Sequence, residues 1–111
     1  MSKQYEITVL LAQYNPDYKK LIATIESILF QEQICFEIVI CDDGSKEDYF
    51  DELKSYFREK HFEDYQLVKL EPNGGTVKNV FNGIKYASGK YIKPISPGDY
   101  LYKNNTLNRI K

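Results

Sequence analysis

The chain has 111 residues, of which 42% are hydrophobic and 28% are charged, so we expect a single folded domain over residues 1–111 rather than a disordered tail. Sixteen acidic and fifteen basic residues give a net charge of −1, so we predict no nucleic-acid partner. No apolar run reaches the ~18 residues of a membrane span, and the start lacks the pattern of a signal peptide. We therefore expect a cytoplasmic location.

The predicted elements alternate between strands and helices along the chain. Apolar runs rich in β-forming residues predict strands over residues 6–12, 36–41, 65–70 and 91–95. Apolar residues at helical spacing predict a helix after each of the first three strands. The third helix has an apolar stripe made of Val77, Val80, Phe81, Ile84 and Ala87. Another helix is predicted to begin within residues 104–111.

Local signals also mark where the elements begin and where the fourth strand lies. Asn15 followed by Pro16 predicts the start of the first helix. Ser45 and Asp48 resemble a capping box for the second. Pro94 lacks an N–H donor, which predicts that the fourth strand lies at a sheet edge or ends in a bulge.

This β-α-β-α-β-α-β order predicts a three-layer α/β/α fold with a mainly parallel sheet and right-handed crossovers. Ligands of such folds bind beyond the carboxyl ends of the strands. That rule selects residues 12–15, 41–45, 71–76 and 96–99 as candidate site segments.

The pair Asp42-Asp43 is the strongest local candidate for binding. Two adjacent carboxylates after a buried strand need partners, and they suit hydrogen-bond donors of a nucleobase or ribose, or a metal ion. Asp-Asp-Gly-Ser is equally a good turn and helix cap, and this alternative stays open.

Basic charge and a glycine turn occur together later in the chain. Residues 74–111 hold seven bases and one acid, which fits either solvated lysines or a surface that faces an anion. The turn at residues 73–75 precedes a helix, so its N–H groups suit a phosphate, although a simple turn explains it too. Lys78 is a candidate for the same phosphate or an ordinary exposed lysine.

Two further residues have both a functional and a plain interpretation, whereas the two cysteines have a plain one only. Asp99 suits a divalent cation that also binds a diphosphate, or it is a turn residue. Tyr14 suits stacking on a base, or it is a partly buried aromatic residue. Cys35 and Cys41, about 20 Å apart along one extended segment, are predicted to be free thiols in a reducing compartment.

Several motifs in the same order resemble glycosyltransferase family 2. Residues 9–15 (VLLAQYN) resemble V-I-I-P-x-Y-N, residues 27–31 (SILFQ) resemble S-I-L-x-Q, and residues 36–45 (FEIVICDDGS) resemble x-E-I-I-I-V-D-D-G-S. Residues 73–75 and 87–92 are similar to N-x-G…A-x-G-x-Y-I. The resemblance implies the Rossmann-like GT-A fold and a donor site for a nucleotide-diphospho-sugar, with a UDP-sugar as the first choice.

The resemblance also implies roles for individual residues. Ala12, Tyr14 and Asn15 are expected near the base, and Asp43 is expected to accept the imide proton of the base, with Asp42 nearby on the nucleoside. Gly75 and Lys78 are expected beside the nucleotide. Asp99 corresponds to the last acid of a D-x-D-type motif, which implies Mn²⁺ or Mg²⁺ on the donor diphosphate.

The sequence departs from the family pattern at three places. Ala12 replaces a proline, residues 79–81 read Asn-Val-Phe instead of Ala-Arg-Asn, and residues 96–99 keep only one carboxylate. Weaker metal binding is therefore expected. Family members are usually at least twice as long, so we expect the donor-binding half of an inverting enzyme, truncated at the C-terminus and inactive alone, with the general base outside this chain.

The implied pathway is bacterial-type surface polysaccharide synthesis, with a saccharide or lipid-linked acceptor and peripheral membrane association at the inner face of the membrane. The alternative is a catalytically inactive nucleotide-binding or interaction module with a degenerate metal motif. A receiver-type phosphorylated domain is disfavoured, because its acidic pair would follow the first strand rather than the second.

Overall fold

The structure, a computed structural model, describes residues 4–32, 34–71, 73–99 and 101. Strands and helices alternate along these residues: β1 (Ile7–Gln13), α1 (Tyr18–Leu29), β2 (Phe36–Asp42), α2 (Phe50–Glu59), β3 (Tyr65–Lys69), α3 (Thr76–Ile84) and β4 (Tyr91–Ile95). The strands form one sheet in the order β3-β2-β1-β4, and every neighbouring pair is parallel. The predicted element order and parallel sheet are confirmed.

Alternating side chains of the strands divide the core between the two faces of the sheet. On one face, β1 and β2 pack against α1 and α2 in a cluster that includes Ile7, Val9, Leu11, Ile38, Ile40, Leu21, Ile25, Leu53 and Phe57. On the other face, Leu10, Val39, Cys41 and Val68 form a smaller cluster, against which Val80 of α3 packs. Helices therefore cover both faces of the sheet, as predicted.

The fourth strand lies at the edge of the sheet, as Pro94 predicts. β4 pairs only with β1 among the described strands, in a register that sets Leu10 opposite Pro94 and Leu11 opposite Ile95. A proline is tolerated there because an edge strand needs ladder hydrogen bonds on one side only.

The predicted starts of the first two helices were wrong. Asp17, and not Asn15, caps α1, and its carboxylate accepts a hydrogen bond from the Lys20 backbone N at 3.2 Å. The predicted capping box of α2 does not form, because α2 begins only at Phe50 after a left-handed Tyr49. Ser45 binds Asp42 instead, as described below.

Most of the apolar stripe predicted for α3 does not face the sheet; of its residues, Val80 packs against the smaller cluster, whereas Val77, Phe81 and Ile84 are exposed. Val77 is 68% exposed and Phe81 is 64% exposed, whereas the buried residues of this helix are Asn79 and Gly83. The close approach at Gly83 explains this orientation, because an added Cβ there would lie 2.8 Å from Leu10 Cδ1. α3 therefore packs through its smallest residue and leaves its large apolar side chains outside.

Two other predictions concern the cysteines and the C-terminus. Cys35 is half-buried, Cys41 is buried, and both are free thiols. The helix predicted to begin within residues 104–111 lies outside the described residues. Within the part of the chain that the structure describes, no helix has the length and apolar character needed to cross a membrane.

Candidate functional site

A cavity of about 380 Å³ opens at the carboxyl edge of the sheet, where the parallel strands β1, β2 and β4 all end. It is lined by residues that follow these strands and by the first turns of α1 and α3: Ala12, Gln13, Tyr14, Pro16, Asp17, Lys20, Asp43, Thr76, Asn79, Ser96 and Pro97. The position agrees with the rule that ligands of open parallel sheets bind beyond the strand carboxyl ends. All four segments selected from the sequence contribute lining residues, segment 71–76 through Thr76 alone.

Asp43 is the one residue of the acidic pair that lines this cavity. It is only 4% exposed. Its Oδ1 accepts a hydrogen bond from Gly74 N at 2.8 Å, and its Oδ2 accepts from Gly75 N at 3.0 Å and from Asn73 Nδ2 at 2.9 Å. A carboxylate has about four acceptor positions, so roughly one, on Oδ1, remains for a ligand.

These contacts change the interpretation of the glycine turn. The sequence suggested that the N–H groups before α3 bind a phosphate, but those of Gly74 and Gly75 already donate to Asp43. Asp43 thus takes the anion position at the beginning of α3, where the helix dipole favours negative charge. The predicted phosphate contact through these two amides is therefore not available.

Asp42 does not reach the cavity, although the sequence placed it on the nucleoside. Its carboxylate is fully buried. Oδ1 accepts hydrogen bonds from Gln13 Nε2 at 2.9 Å and from Ser45 Oγ at 2.6 Å, while Oδ2 accepts from Ser45 N at 2.7 Å. Asp42 therefore stabilises the turn that follows β2, which is the turn part of the alternative left open by the sequence; the helix cap does not form.

Of the three candidates at the end of β1, two line the cavity and one does not. Ala12 and Tyr14 both line the cavity, and the Tyr14 ring is 56% exposed and so accessible to a ligand. Asn15 lies outside the lining in a left-handed conformation (φ 45°). Its N donates to Ser45 Oγ at 2.7 Å and its Oδ1 accepts from Lys46 N at 3.1 Å. Asn15 thus joins two loops of the site.

Gly75 and Lys78 also lie outside the lining. Gly75 precedes α3 at φ 93°, a conformation that favours glycine. The Lys78 side chain runs beside the turn, with its Cδ 3.0 Å from the position that a Cβ would take at Gly74. The structure therefore does not bring Lys78 to the cavity with Asp43.

The turn after β4 forms part of the cavity wall. Ser96 and Pro97 line it, and Asp99 is exposed next to them. Asp99 Oδ2 accepts a hydrogen bond from Ser96 N at 3.0 Å, which leaves about three of the four acceptor positions of this carboxylate. Among the described residues, no group of three or more His, Cys, Asp or Glu side chains is arranged to hold a metal ion.

Sequence reasoning missed three lining residues that carry polar chemistry. Gln13, 3% exposed, donates from Nε2 to Asp42 and to the Asp48 carbonyl. Asn79, 2% exposed, donates to the Cys41 carbonyl at 2.9 Å and replaces a residue that is alanine in the family pattern. Lys20 is the third.

A parallel α/β sheet with a polar cavity at its carboxyl edge is typical of open α/β folds that bind a ligand beyond the strand ends. Comparison with known proteins identifies the family. The model of Glycosyl transferase family 2 matches residues 8–95, and the chain belongs to this family.

Two relatives illustrate the similarity. The chain is 28% identical over 106 residues to an Escherichia coli UDP-Glc:alpha-D-GlcNAc-diphosphoundecaprenol beta-1,3-glucosyltransferase, WfaP, covering 94% of this chain and 39% of the relative. It is 37% identical over 86 residues to a Staphylococcus epidermidis poly-beta-1,6-N-acetyl-D-glucosamine synthase, covering 78% of this chain and 20% of the relative. The chain thus spans well under half the length of these relatives.

Two solved structures share the fold. S. aureus TarS 1-349 in complex with UDP-GlcNAc is 26% identical with a TM-score of 0.79, covering 95% of this chain and 30% of TarS 1-349. A mannosyltransferase from Pyrobaculum calidifontis, solved with GDP-Man and Mn²⁺, is 18% identical with a TM-score of 0.80, covering 96% of this chain and 31% of its own. The fold is therefore that of the GT-A glycosyltransferases, as the sequence motifs implied.

Proposed function

We propose that this protein binds a nucleotide-diphospho-sugar, with a UDP-sugar as the first candidate, and forms the donor-binding part of an inverting glycosyltransferase. The observation that carries the proposal is the position of Asp43, held by three hydrogen bonds in the cavity with one acceptor site left over. A fixed acceptor of this kind recognises the N–H of a base imide without reorganising when the ligand binds.

The neighbouring residues suit the same ligand. The exposed Tyr14 ring stacks on the base, an interaction worth about 1–3 kcal/mol in nucleic-acid complexes. Ala12 borders the base at the end of β1 and leaves space that a larger side chain would fill. The diphosphate then extends toward the turn at residues 96–99.

A divalent cation at this site would have few protein ligands. Asp99 is the single carboxylate of the turn, and the other central carboxylate, Asp43, is occupied by N–H donors. Mg²⁺ or Mn²⁺ on one protein carboxylate takes its other ligands from diphosphate oxygens and water. When bound, such a cation neutralises charge on the departing nucleoside diphosphate.

Sugar transfer needs groups beyond those described. In an inverting reaction, a general base removes the proton from the acceptor hydroxyl, the hydroxyl oxygen bonds to the anomeric carbon, and the nucleoside diphosphate leaves from the opposite side. We propose that a longer enzyme supplies the base and the acceptor pocket, so that this chain alone transfers little or no sugar. The exposed Val77 and Phe81 of α3 offer an apolar surface for such a segment.

The names of the two relatives support a role in surface polysaccharide assembly. We extend the proposal to a saccharide or lipid-linked acceptor, used in the cytoplasm at the inner face of the membrane by a peripherally associated enzyme. An inactive nucleotide-binding or interaction module is the second candidate, favoured by the single carboxylate of the turn.

Isothermal titration with UDP, GDP and their sugars, with and without Mn²⁺, tests the donor-binding proposal. We expect the unaltered protein to bind at least one of these nucleotides. The Tyr14→Ala variant should bind it about tenfold more weakly, because one stacking contact is lost. Tyr86→Ala is the matched control, because Tyr86 is similarly exposed (46% against 56%) and lies outside the cavity. Absence of binding to any of these nucleotides at millimolar concentration overturns the proposal and favours an interaction module.

A transfer assay with a radiolabelled sugar donor tests the proposal that sugar transfer needs a longer enzyme. Little or no turnover is expected from the 111 residues alone. Clear turnover would show that the chain contains its own base and acceptor site, and would contradict the proposed need for a longer enzyme.

A further inference from the structure

One face of α1 supports the turn that follows β4. Thr24 Oγ1 accepts a hydrogen bond from Gly98 N at 2.9 Å, and Ser27 Oγ accepts one from Leu101 N at 3.1 Å. Lys20 precedes Thr24 by four residues and therefore lies on the same face of the helix, one turn closer to the cavity. These contacts hold the turn against the face of α1 that carries Lys20.

Lys20 faces the cavity next to this turn. It lines the cavity together with Ser96 and Pro97, and its Cδ lies 3.9 Å from the position that a Cβ would take at Gly98. It is the single cationic residue among those that line the cavity.

The nearby carboxylates leave the Lys20 ammonium available. Asp43 binds the N–H groups before α3, and Asp17 caps α1 through the backbone N of Lys20. Within the described residues, the ion pairs of lysines that the structure shows belong to Lys69. Among the described residues, the structure shows no carboxylate in an ion pair with this lysine at the end of the cavity that faces residues 96–99.

We propose that Lys20 binds the diphosphate of the nucleotide donor and supplies fixed positive charge where the turn keeps only one carboxylate. This inference rests on the proposed function. A lysine ammonium binds phosphate as a compact point charge, and it requires no metal to do so. Nucleotide binding should therefore retain a large component that does not depend on a divalent cation.

Lys20 also replaces Lys78 as the candidate for this role. Lys78 lies against the Gly74 turn outside the cavity lining, whereas Lys20 lies inside it and next to the turn. Substitutions of Lys20 and of Lys78 are therefore expected to differ in their effect on diphosphate binding.

Titration of Lys20→Met with UDP, GDP and inorganic pyrophosphate in EDTA tests the proposal. We expect roughly tenfold weaker binding of all three ligands, the effect of one lost charge-assisted hydrogen bond. The affinities for uridine and guanosine should stay within twofold, because they carry no phosphate. Lys20→Arg should retain most of the diphosphate affinity.

Lys19→Met is the matched control, because Lys19 is an exposed lysine of the same helix, carries the same charge and lies outside the cavity lining. If Lys20→Met binds UDP as Lys19→Met does, the role of Lys20 is refuted while the donor-binding proposal stands. If Lys20→Met weakens uridine as much as UDP, Lys20 shapes the pocket rather than binding phosphate, which also refutes the inference. If the unaltered protein binds neither nucleotide, both proposals fall together.

Discussion

Replacement of Asp42 by Asn should destabilise the fold, because this fully buried carboxylate accepts hydrogen bonds from Gln13 Nε2, Ser45 N and Ser45 Oγ. Asn keeps one acceptor oxygen and presents an NH₂ group where the other oxygen was, so at least one donor loses its partner. Hydrogen bonds to charged groups contribute about 1.5–3 kcal/mol each, and an unsatisfied buried donor costs about 1–3 kcal/mol.

We expect the free energy of unfolding to fall by about 3 kcal/mol, which for a domain of this size lowers Tm by roughly 12–24 °C. Urea unfolding followed by far-UV circular dichroism measures the change, with the slope against urea expected to stay constant. Glu47→Gln removes the same charge from an exposed position of the adjacent loop and should change stability by less than ~0.5 kcal/mol. A loss below about 1 kcal/mol for Asp42→Asn would refute the structural role of this carboxylate.

The same variant separates the two aspartates functionally. At a temperature where Asp42→Asn is still folded, its affinity for UDP or GDP should match that of the unaltered protein, because Asp42 does not line the cavity. Asp43→Asn should weaken nucleotide binding under the same conditions. Equal losses of affinity in both variants would contradict this division.

Three further predictions concern groups away from the cavity centre. Burial favours a raised pKa for Asp48, but hydrogen bonds from a backbone N–H and from Lys69 outweigh it and lower the pKa below 3.8. The ionised carboxylate therefore stabilises the fold above pH 3.8, and this stabilisation is lost as pH falls through the pKa of the folded state. Asp48→Asn should therefore flatten the acid decline of the urea midpoint between pH 6 and 2, and an unchanged decline would contradict this. Burial raises the pKa of the Cys41 thiol to about 11, so Ellman's reagent should modify Cys35 in the native protein and Cys41 only after unfolding, and rapid native labelling of a Cys35→Ser variant would argue against it. Gly89→Ala should lower Tm, because its Cβ would lie 2.4 Å from a backbone N of β1, and an unaltered melting curve would disprove this packing.

Much of the fold could be predicted from the sequence because its strands are short, apolar and separated by helical patterns. Pro94 even identified the edge strand. The orientation of α3 could not be predicted from apolar periodicity, since that rule assigns Val77 and Phe81 to the core. The helix instead approaches the sheet where Gly83 removes a side chain, and this depends on a tertiary contact with Leu10.

The predicted starts of the first two helices were wrong for a related reason. Short polar side chains such as Ser45 can cap a helix or bind a neighbouring carboxylate, and local sequence does not decide between the two. The structure pairs Ser45 with Asp42, which lies three residues earlier, and Asn15 N with Ser45 Oγ. Lys20 was missed because its link to the turn at residues 96–99 passes through Thr24, a contact between residues 74 positions apart.

The different environments of the adjacent aspartates follow from the geometry of β2. Side chains alternate between the faces of a strand, so Asp42 follows Ile38 and Ile40 toward the α1 and α2 layer, while Asp43 continues the series of Val39 and Cys41 toward the α3 layer. On the first side Asp42 meets Gln13 and the loop before α2; on the second Asp43 meets the turn before α3. One acidic pair at the strand end thus connects the sheet to a helical layer on each side. The cavity lies on the side of Asp43. This explains why Asp43 is available to the proposed ligand, whereas Asp42 stabilises the fold.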